Sequence, residues 1–418
     1  MAKALEDYNF FDEKTLECPF EFYKLAQEQE PIYHVPDTNT YIVTRYADVR
    51  AMLKDTETFS SNFNHLLTGP DEPPEVKALF EGATLPVDTL LTLDPPRHRV
   101  YRSLVNKVFS AKRVEAMHDY IVQIVDELID DIIDKGECEF IAEFASPLPL
   151  LVIMDQLGID RSMVVKAKEW SDALAARLGQ MSDAEEQMYN ARMFMEFHDF
   201  ILGVIADRRA EPRDDMISDL VNIEIDDGRK LNNAEVMSIT QQFMVAGNET
   251  TTSSLAGGLV SLIQNPQQFE AVLSDPQKLE NMVEEVLRTE SPSAGLWRVV
   301  TRDVEFNGVE LPKDSLVMLR YHAANRDEAV FDEPGQFDIC RANADDHLAF
   351  GQGVHFCPGA MLARKEMNVA FERLFARLTN FQLAPGKNDL THWPNMMLRG
   401  LKCLHITFEP RQNGSETT

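Results

Sequence analysis

One cysteine of the sequence stands where the backbone could prepare its sulfur for chemistry. The stretch HLAFGQGVHFCPGAMLARKE, residues 347–366, places Gly351 and Gly353 before Cys357 and Gly359 after it, ahead of a helix-like run. Three kinds of chemistry use such a combination: a glycine loop that cradles phosphate, half of a metal site, or a lone reactive thiolate. The neighbouring residues distinguish between them.

The glycine spacing argues against a phosphate loop. A dinucleotide-binding fingerprint needs a third small residue so that helix and strand can pack closely, and Phe356 occupies that position. No acidic residue follows at the ribose-binding spacing in a βαβ context. The five cysteines are scattered and contain no CxxC pair, which also argues against a disulfide framework and a structural zinc site.

A prepared thiolate remains as the chemical interpretation of Cys357. The residues after Gly359 repeat their apolar side chains at helical spacing, so the cysteine lies just before a helix N-terminus. There the helix dipole and free backbone N–H groups stabilise an anion and are expected to lower the pKa of the thiol. A thiolate of this kind is a nucleophile or a metal ligand, whereas an isolated buried cysteine is usually structural.

Four residues around the cysteine carry a resemblance to a known family. Phe350, Gly353, Cys357 and Gly359 have the spacing FxxGxxxCxG, and in this the chain resembles the cytochrome P450 family. The resemblance implies haem b as cofactor, with Cys357 as the axial ligand of the iron and Phe350 and Gly351 as haem contacts. It implies an enzyme that inserts one oxygen atom from O₂ into its substrate.

The same resemblance implies the fold. A cytochrome P450 fold is mainly α with small β-sheets, arranged as a large helical lobe plus a smaller β-rich lobe. We expect a single haem domain over residues 1–410 and a disordered tail over 411–418, where the chain reads RQNGSETT.

The segment AGNETT resembles the oxygen-activating motif of the family. It covers residues 246–251, inside a long helix predicted from about Asn233, a plausible N-cap, to Asn265. Gly247 and the threonines are expected to weaken the helix and open a local groove. Glu249 and Thr250 are then predicted to form an acid–alcohol pair that delivers protons.

Two further sets of residues match the family in order along the chain. Glu285 and Arg288 resemble its ExxR pair, which an arginine from a later segment usually completes. Gln336 stands at that later position, so Arg341 is the candidate third partner. Haem propionates require buried cations or donors. By resemblance these are the following residues: His98, Arg102, Arg298 and His355.

The resemblance also places the substrate pocket, whose predicted walls are almost all apolar. The lining residues predicted for it are Leu85, Val87, Leu90, Leu91, Val245, Ala246, Ala294, Leu296, Met396 and Met397. Between residues 61 and 93 the only cations are Lys77 and the titratable His65, so no arginine of that segment could hold a carboxylate. This favours a neutral, bulky hydrophobic substrate of terpenoid, steroid or aromatic hydrocarbon type.

Charge and element pattern complete the sequence picture. The formal net charge of −29 argues against nucleic acid and anionic membrane as partners. The segment 95–114 has six Lys and Arg residues and no acid, so it is either a solvated helix face or a docking face for an acidic ferredoxin. Strands are predicted at 32–35 and 41–44, a hairpin around Asn307-Gly308, and a helix over 121–133.

These features predict a cytoplasmic monomer that receives electrons from a ferredoxin and a ferredoxin reductase. The chain has no apolar run of bilayer length and no signal-peptide pattern at its start. Two alternatives stay open at this stage. One is a peroxide-driven haem-thiolate enzyme, and the other is a non-catalytic haem-binding protein.

Overall fold

Helices dominate the structure because most of the chain repeats its apolar residues at helical spacing. The computed structural model describes residues 4–67, 73–179, 181–225 and 228–411. The α-helices of these ranges are α1 Glu13–Glu17, α2 Phe20–Gln29, α3 Tyr46–Lys54, α4 Asn64–Leu67, α5 Pro74–Leu79, α6 Arg97–Val108, α7 Ala111–Ala116, α8 His118–Ile133, α9 Pro147–Leu157, α10 Val164–Gly179, α11 Ala184–Ala210, α12 Met216–Asn222, α13 Asn233–Gln264, α14 Pro266–Ser274, α15 Leu279–Glu290, α16 Tyr321–Ala324 and α17 Ala360–Arg377. Except for Arg411, the tail predicted for 411–418 lies outside the described residues.

The strands form small sheets, as the predicted fold class requires. Their bounds are β1 Ile32–His34, β2 Thr40–Val43, β3 Phe59–Ser60, β4 Glu137–Glu139, β5 Leu296–Val300, β6 Val304–Phe306, β7 Val309–Leu311, β8 Leu316–Leu319, β9 Leu378–Leu383 and β10 His405–Pro410. A five-stranded sheet has the order β1-β2-β8-β5-β3, with only β2 and β8 parallel, and β4-β10-β9 form a second sheet. The predicted first two strands are confirmed with bounds shifted by one residue.

The hairpin predicted at Asn307-Gly308 is confirmed. β6 and β7 pair in antiparallel register across these two residues, which have φ values of 49° and 82°. A two-residue turn with positive φ at both positions matches the twist of the strands and favours Asn-Gly.

Two apolar regions correspond to the two lobes. The larger core packs helices α8, α9, α13, α15 and α17 together, and the predicted stripe of α8 is buried in it. Smaller clusters cover the two faces of the five-stranded sheet, together with α2, α3 and α16. No helix in the described part of the chain is long and apolar enough to cross a membrane.

The central helix α13 begins one residue later than its cap. Asn232, rather than the predicted Asn233, is the N-cap, and its side chain accepts from the N–H of Glu235 at 3.0 Å. The carboxylate of Glu235 accepts in return from the N–H of Asn232 at 2.8 Å, which completes a capping box. The sequence-based prediction missed this reciprocal pair, although Asn232 and Glu235 have the correct spacing.

Helix α13 runs without interruption through the AGNETT segment. The Thr250 hydroxyl donates to the Ala246 carbonyl at 2.9 Å, yet the segment stays α-helical. The predicted local opening of the helix is therefore absent from this conformation, because the hydroxyl adds to the helical backbone pattern and does not replace it.

A buried ionic network joins α15 to the chain that leads to Cys357. Arg288 donates to both carboxylate oxygens of Glu285, at 2.7 and 2.8 Å. Arg341 donates from Nε to the same two oxygens, at 3.2 and 3.1 Å, so it is the third partner that the sequence suggested. Gln336 contributes through its backbone, since its carbonyl accepts from both arginines.

Replacing Arg341 by Ala is expected to destabilise the protein by about 3–5 kcal/mol, because the buried Glu285 and several carbonyls lose their donor. Gln336→Ala is the matched control, since its side chain is exposed and only its backbone takes part. It should stay within about 0.5 kcal/mol of the parent. Denaturant unfolding measures both, and equal free energies of unfolding for the two variants would contradict this account of the network.

Candidate functional site

Cys357 lies in a tight loop between the network and helix α17. Its N–H donates to the Phe350 carbonyl at 2.9 Å, and Gly351 and Gly353 adopt φ values of 65° and 76°. At Gly353 a side chain is also excluded by space, because a Cβ there would lie 2.8 Å from the Leu53 carbonyl oxygen. Glycine therefore lets this loop close against α3 and turn the sulfur inward.

The pKa of the Cys357 thiol is raised, whereas the sequence-based expectation was that it would be lowered. Burial raises the pKa of Cys357, although the N–H groups of Gly359 and Ala360 and the guanidinium groups of Arg102 and Arg364 act to lower it. The sequence-based expectation included only the stabilising groups at the helix N-terminus. Desolvation outweighs them in the protein alone, so formation of the thiolate requires a further positive partner at the sulfur.

A cavity of about 580 Å³ opens above Cys357. Its wall is formed by the loop before α6 together with parts of α9, α10, α11, α13 and α17. The predicted site residues that line it are Leu85, Val87, Leu90, Leu91, His98, Arg102, Val245, Ala246, Thr250, Leu296, Arg298, Phe350, Gly351, His355, Cys357 and Met397.

Ala294 and Met396 do not line the cavity, contrary to the prediction. The N–H of Ala294 donates to the Met397 carbonyl at 2.8 Å, and its side chain is buried outside the cavity. Met396 packs in the core beside the five-stranded sheet. The chain bends at Met396 and Met397, and Met397 and Leu398 line the cavity whereas Met396 does not.

Four predicted donors gather at one side of the cavity. The rings of His98 and His355 lie 4.2 Å apart, and Arg298 and Arg102 flank them. Burial, followed by the nearby cations, lowers the pKa of His98 to about 4 and that of His355 to about 3. Within the described residues, His98 Nδ1, His355 Nε2 and Arg298 Nε are buried without a hydrogen-bond partner.

These unsatisfied atoms indicate a missing anionic group. Buried donors without partners are costly, and the positive charges of Arg102 and Arg298 beside them favour a negatively charged group at this place. Carboxylates of a bound cofactor would supply that charge. The residues present thus fit a cofactor that has carboxylate side chains and a metal for Cys357 to bind, as haem has.

Tyr321 belongs to the same side of the cavity but was missed in the sequence. Its hydroxyl is buried and interacts with Arg298, and burial raises its pKa. It lies next to Gly351, where an added Cβ would be 3.6 Å from the hydroxyl oxygen. No motif marks this tyrosine, which reaches the site from α16.

Thr250 and Glu249 lie on different sides of α13. Thr250 faces the cavity, whereas the Glu249 carboxylate accepts hydrogen bonds from Ser171 at 3.2 Å and from Asn248 at 2.9 Å, and lies 3.8 Å from the Lys168 ammonium. Burial raises the pKa of Glu249, and Lys168 opposes that rise. The predicted acid–alcohol pair is therefore not in contact in this conformation, because α10 supplies competing partners.

A second carboxyl group, on α17, faces the cavity and was also missed. Glu366 is buried, lines the cavity and hydrogen-bonds Thr251, the residue that follows Thr250. Burial raises its pKa to about 8, so it holds its proton at neutral pH. Glu366 is the last residue of the stretch 347–366 quoted at the outset, and it lies on the helix that follows Cys357. Its place three residues after Ala363, which also lines the cavity, was the available signal.

The cavity wall also contains a cation that the pocket prediction did not include, in addition to Lys77, which the sequence analysis named. Arg177 of α10 lines the cavity, as does Lys77 of α5. The prediction of a neutral substrate depended on the apolar lining and on the lack of arginine between residues 61 and 93, and Arg177 comes from more than eighty residues further along the chain. Residues 61–93 indeed contain no arginine, and it is tertiary packing that adds Arg177 of α10 to the wall.

The chain matches known proteins over most of its length. The family model "Cytochrome P450" matches residues 180–402. A steroid C26-monooxygenase from Mycolicibacterium smegmatis is 36% identical, and the alignment covers 93% of this chain and 92% of that protein. The vitamin D(3) 25-hydroxylase of Pseudonocardia autotrophica is 32% identical, with 97% and 98% covered.

Solved structures agree with this match. Cytochrome P450 CYP109Q5 from Chondromyces apiculatus superposes with a TM-score of 0.84 at 32% identity, covering 97% of this chain and 98% of that one. CYP109E1 from Bacillus megaterium, in complex with testosterone, superposes with a TM-score of 0.83 at 28% identity, covering 95% and 99%.

The raised pKa of Glu366 predicts a pH dependence of stability. Between the ordinary value of 4.5 and about 8 the native carboxyl keeps a proton that the unfolded chain has lost. The free energy of unfolding therefore falls as pH rises through this window, by at most about 1.4 kcal/mol per unit. Glu366→Gln should remove this contribution, which denaturant unfolding from pH 5 to 9 would measure.

Glu372→Gln is the control for that variant, because Glu372 is exposed on the same helix. Its unfolding free energy should follow the parent at every pH. Identical pH profiles for the parent and Glu366→Gln would show that the native carboxyl is not held in its neutral form.

Proposed function

The chain belongs to the cytochrome P450 family and is a monooxygenase of that family, and on this premise we propose the roles of its site residues. Cys357 would bind the iron of haem b through its thiolate. The observation that carries the assignment is the lone cysteine on the cavity wall together with the buried, unpartnered donors of His98, Arg298 and His355. When bound, the haem supplies the activation of O₂ and the transfer of one oxygen atom to the substrate.

The residues around the cysteine hold the cofactor in this proposal. His98, Arg102, Arg298 and His355 bind the two propionates, and the charge of these groups relieves the desolvation of the histidines. Phe350 and Gly351 contact the macrocycle next to the sulfur. N–H groups at the start of α17 stabilise the thiolate, which the positive iron makes favourable despite burial.

Thr250 and the carboxyl groups of Glu249 and Glu366 deliver protons to the cavity in this proposal. Thr250 holds a hydroxyl at the cavity wall, where it can position water. Glu249 exchanges protons with the α10 side through Ser171 and Lys168, and a rotation of its side chain toward Thr250 would complete the acid–alcohol pair. Glu366 keeps a second proton inside the cavity beside Thr251.

The substrate has a bulky hydrophobic body. Most of the cavity wall consists of aliphatic and aromatic side chains from the loop before α6, α9, α10, α11 and α13. The relatives described above are a steroid monooxygenase and a vitamin D(3) hydroxylase, which supports a body of steroid or terpenoid size.

Electrons come from a separate acidic ferredoxin that docks beside Cys357. Phe356 and Met361 are exposed apolar residues on either side of the cysteine, with exposed fractions of 41% and 44%. Lys107 of α6 and Lys112 of α7 are exposed and supply positive charge from the segment whose Arg102 donates to the Phe356 carbonyl. Such a face combines an apolar centre with a charged rim.

The assignment of Cys357 is tested by its optical spectrum. The reduced carbon monoxide complex of the parent should show the strongly red-shifted Soret band of thiolate ligation, and Cys357→His should lose that shift. Cys403→Ser is the control, since Cys403 is partly exposed and lies outside the cavity lining. Retention of the shifted band in Cys357→His would refute the proposed ligand.

Thr250→Ala should divert electrons from product to hydrogen peroxide while haem and substrate binding persist. A positioned proton donor contributes about 10²–10⁴-fold, so product formed per reductant oxidised should fall steeply. Thr250→Ser keeps the hydroxyl and should retain most of the coupling. If the alanine variant is coupled as well as the parent, protons reach the site without Thr250.

Charge reversal tests the ferredoxin face. Lys107→Glu with Lys112→Glu should slow reduction at low salt, with the spectrum and substrate binding unchanged, because electrostatic steering is lost. Arg113 is left unchanged, since it pairs with Asp219 at 2.9 Å. Lys14→Glu with Lys313→Glu makes the same change in net charge on other elements, and equal reduction rates in the two double variants would place the docking face elsewhere.

A further inference from the structure

A hairpin formed by residues 391–402 carries part of the cavity wall at its tip. Backbone N–H groups of Trp393 and Lys402 donate from one arm of the hairpin to carbonyls of the other, at 3.0 and 2.9 Å. Met397 and Leu398 lie at the tip, and both line the cavity. The position of this hairpin therefore sets part of the shape that a substrate meets.

The hairpin also packs closely against the central helix α13. A Cβ added at Gly400 would lie 2.5 Å from the Ser253 hydroxyl oxygen, so this arm of the hairpin is in close contact with the helix. Ser253 follows Thr250 by three residues, and Thr250 lines the cavity. A shift of the hairpin would therefore change the space between its tip and the part of α13 that holds Thr250.

The end of helix α1 holds the arm that leads into the tip. Glu17, the last residue of α1, accepts from the backbone N–H of His392 at 2.9 Å and, with its other carboxylate oxygen, from His392 Nδ1 at 2.7 Å. Burial acts to raise the pKa of Glu17, but the hydrogen bonds from His392 outweigh burial and lower the pKa, so the carboxylate is charged. Two charge-assisted hydrogen bonds thus attach this arm to α1.

The same end of α1 holds the arm that leaves the tip. Arg399 donates from Nη1 to the carbonyls of Leu16 and Glu17, at 3.2 and 3.0 Å. Its backbone N–H donates to the Pro292 carbonyl at 2.9 Å, and Pro292 also lines the cavity. Glu17 therefore contacts both arms of the hairpin, one through its side chain and the other through its carbonyl.

Within the tip, the side chain of Asn395 holds the two residues that line the cavity. Its Oδ1 accepts from the N–H groups of Met397 and Leu398, both at 2.9 Å, and its Nδ2 donates to the Ala175 carbonyl of α10 at 3.1 Å. The tip thus forms one hydrogen-bonded unit. A displacement of the arms would carry Met397 and Leu398 with it.

Resting on the proposed monooxygenase function, we propose that Glu17 is a positioning residue for the substrate. By holding both arms of the hairpin, it keeps Met397 and Leu398 at fixed places in the cavity wall. Glu17 itself lies outside the cavity lining, so it acts only through the hairpin. Apolar contacts weaken steeply with distance, so the anchored tip determines how closely a bulky hydrophobic substrate is packed beside Thr250.

Hydrogen exchange of the purified full-length protein tests this anchoring directly. Glu17→Ala should speed exchange at the N–H groups of residues 397–399 by about 10-fold, the lower end for a lost charge-assisted hydrogen bond, because Glu17 is partly exposed. These N–H groups donate to Asn395 and Pro292 and not to Glu17, so faster exchange there reports movement of the tip. Exchange in α8 should not change, whereas general destabilisation would speed it as well.

Two ligands of haem iron that differ in size test the effect on binding. Imidazole is too small to reach the tip, whereas clotrimazole carries three further aromatic rings and should contact Met397 and Leu398. Isothermal titration calorimetry should show clotrimazole binding weakened by about 10-fold in Glu17→Ala, which corresponds to lost contact with roughly two methylene groups. Imidazole binding should not change in that variant.

Two further variants keep the result interpretable. Glu17→Gln retains an oxygen that can accept from the His392 N–H, and it should lie between the parent and Glu17→Ala in both measurements. Glu13→Ala removes an exposed carboxylate from the same helix and should behave like the parent. Unchanged exchange at residues 397–399 in Glu17→Ala, or faster exchange there with an unchanged ratio of clotrimazole to imidazole affinity, would overturn the proposal.

The reduced carbon monoxide spectrum separates this outcome from failure of the proposed function. A protein that has the thiolate spectrum but whose ligand affinities are unaffected by Glu17→Ala retains the monooxygenase assignment and loses only the positioning role. A protein without the thiolate spectrum loses the cofactor assignment, while hydrogen exchange, which requires no haem, still reports on Glu17.

Discussion

The buried carboxylate of Glu285 is the constraint on which the position of the site depends. It accepts from Arg288 and Arg341 at the same time, and the arginines donate in turn to carbonyls of the chain between α16 and the cysteine loop. Asn325 provides one of those carbonyls, and its side-chain oxygen also accepts from the N–H of Leu348 at 2.6 Å. Two buried cations thus tie α15 to the beginning of the loop that holds Cys357. Such a network is costly unless every member is satisfied, so the loop has little freedom to move.

Within the cavity, burial gives similar groups different states. Glu366 is surrounded by protein without a cation among the causes of its pKa shift, and it stays protonated. Glu249 is partly buried and has Lys168 beside it, which opposes protonation. His98 and His355 have arginines as neighbours, and they remain neutral in the protein alone. The cofactor side of the cavity thus has charged arginines beside neutral histidines, whereas a neutral acid lies near the threonines of α13, and this separates cofactor binding from proton supply.

The amino-acid sequence by itself determined the local structure and the cysteine loop. The periodicity of α8, the Asn-Gly turn between β6 and β7, and the glycines around Cys357 each depend on interactions between residues close along the chain. Spacing rules describe such interactions well. The signature around Cys357 was sufficient to indicate the family and its fold, because its residues all lie in one short loop, where spacing along the chain determines which of them are close together.

Only the tertiary structure decided which distant residues meet in the site. Arg341 completes the Glu285 network from 56 positions away along the chain. Ser171 and Lys168 hold the Glu249 carboxylate at α10. Arg177 lines the cavity although the residues predicted for its wall lie elsewhere in the sequence. The pKa of Cys357 likewise depends on burial by the whole fold more than on its own helix. Motif spacing indicates which residues are neighbours along a helix or a loop, but it does not indicate which other helix packs against them. The direction of a side chain and its desolvation follow from that packing.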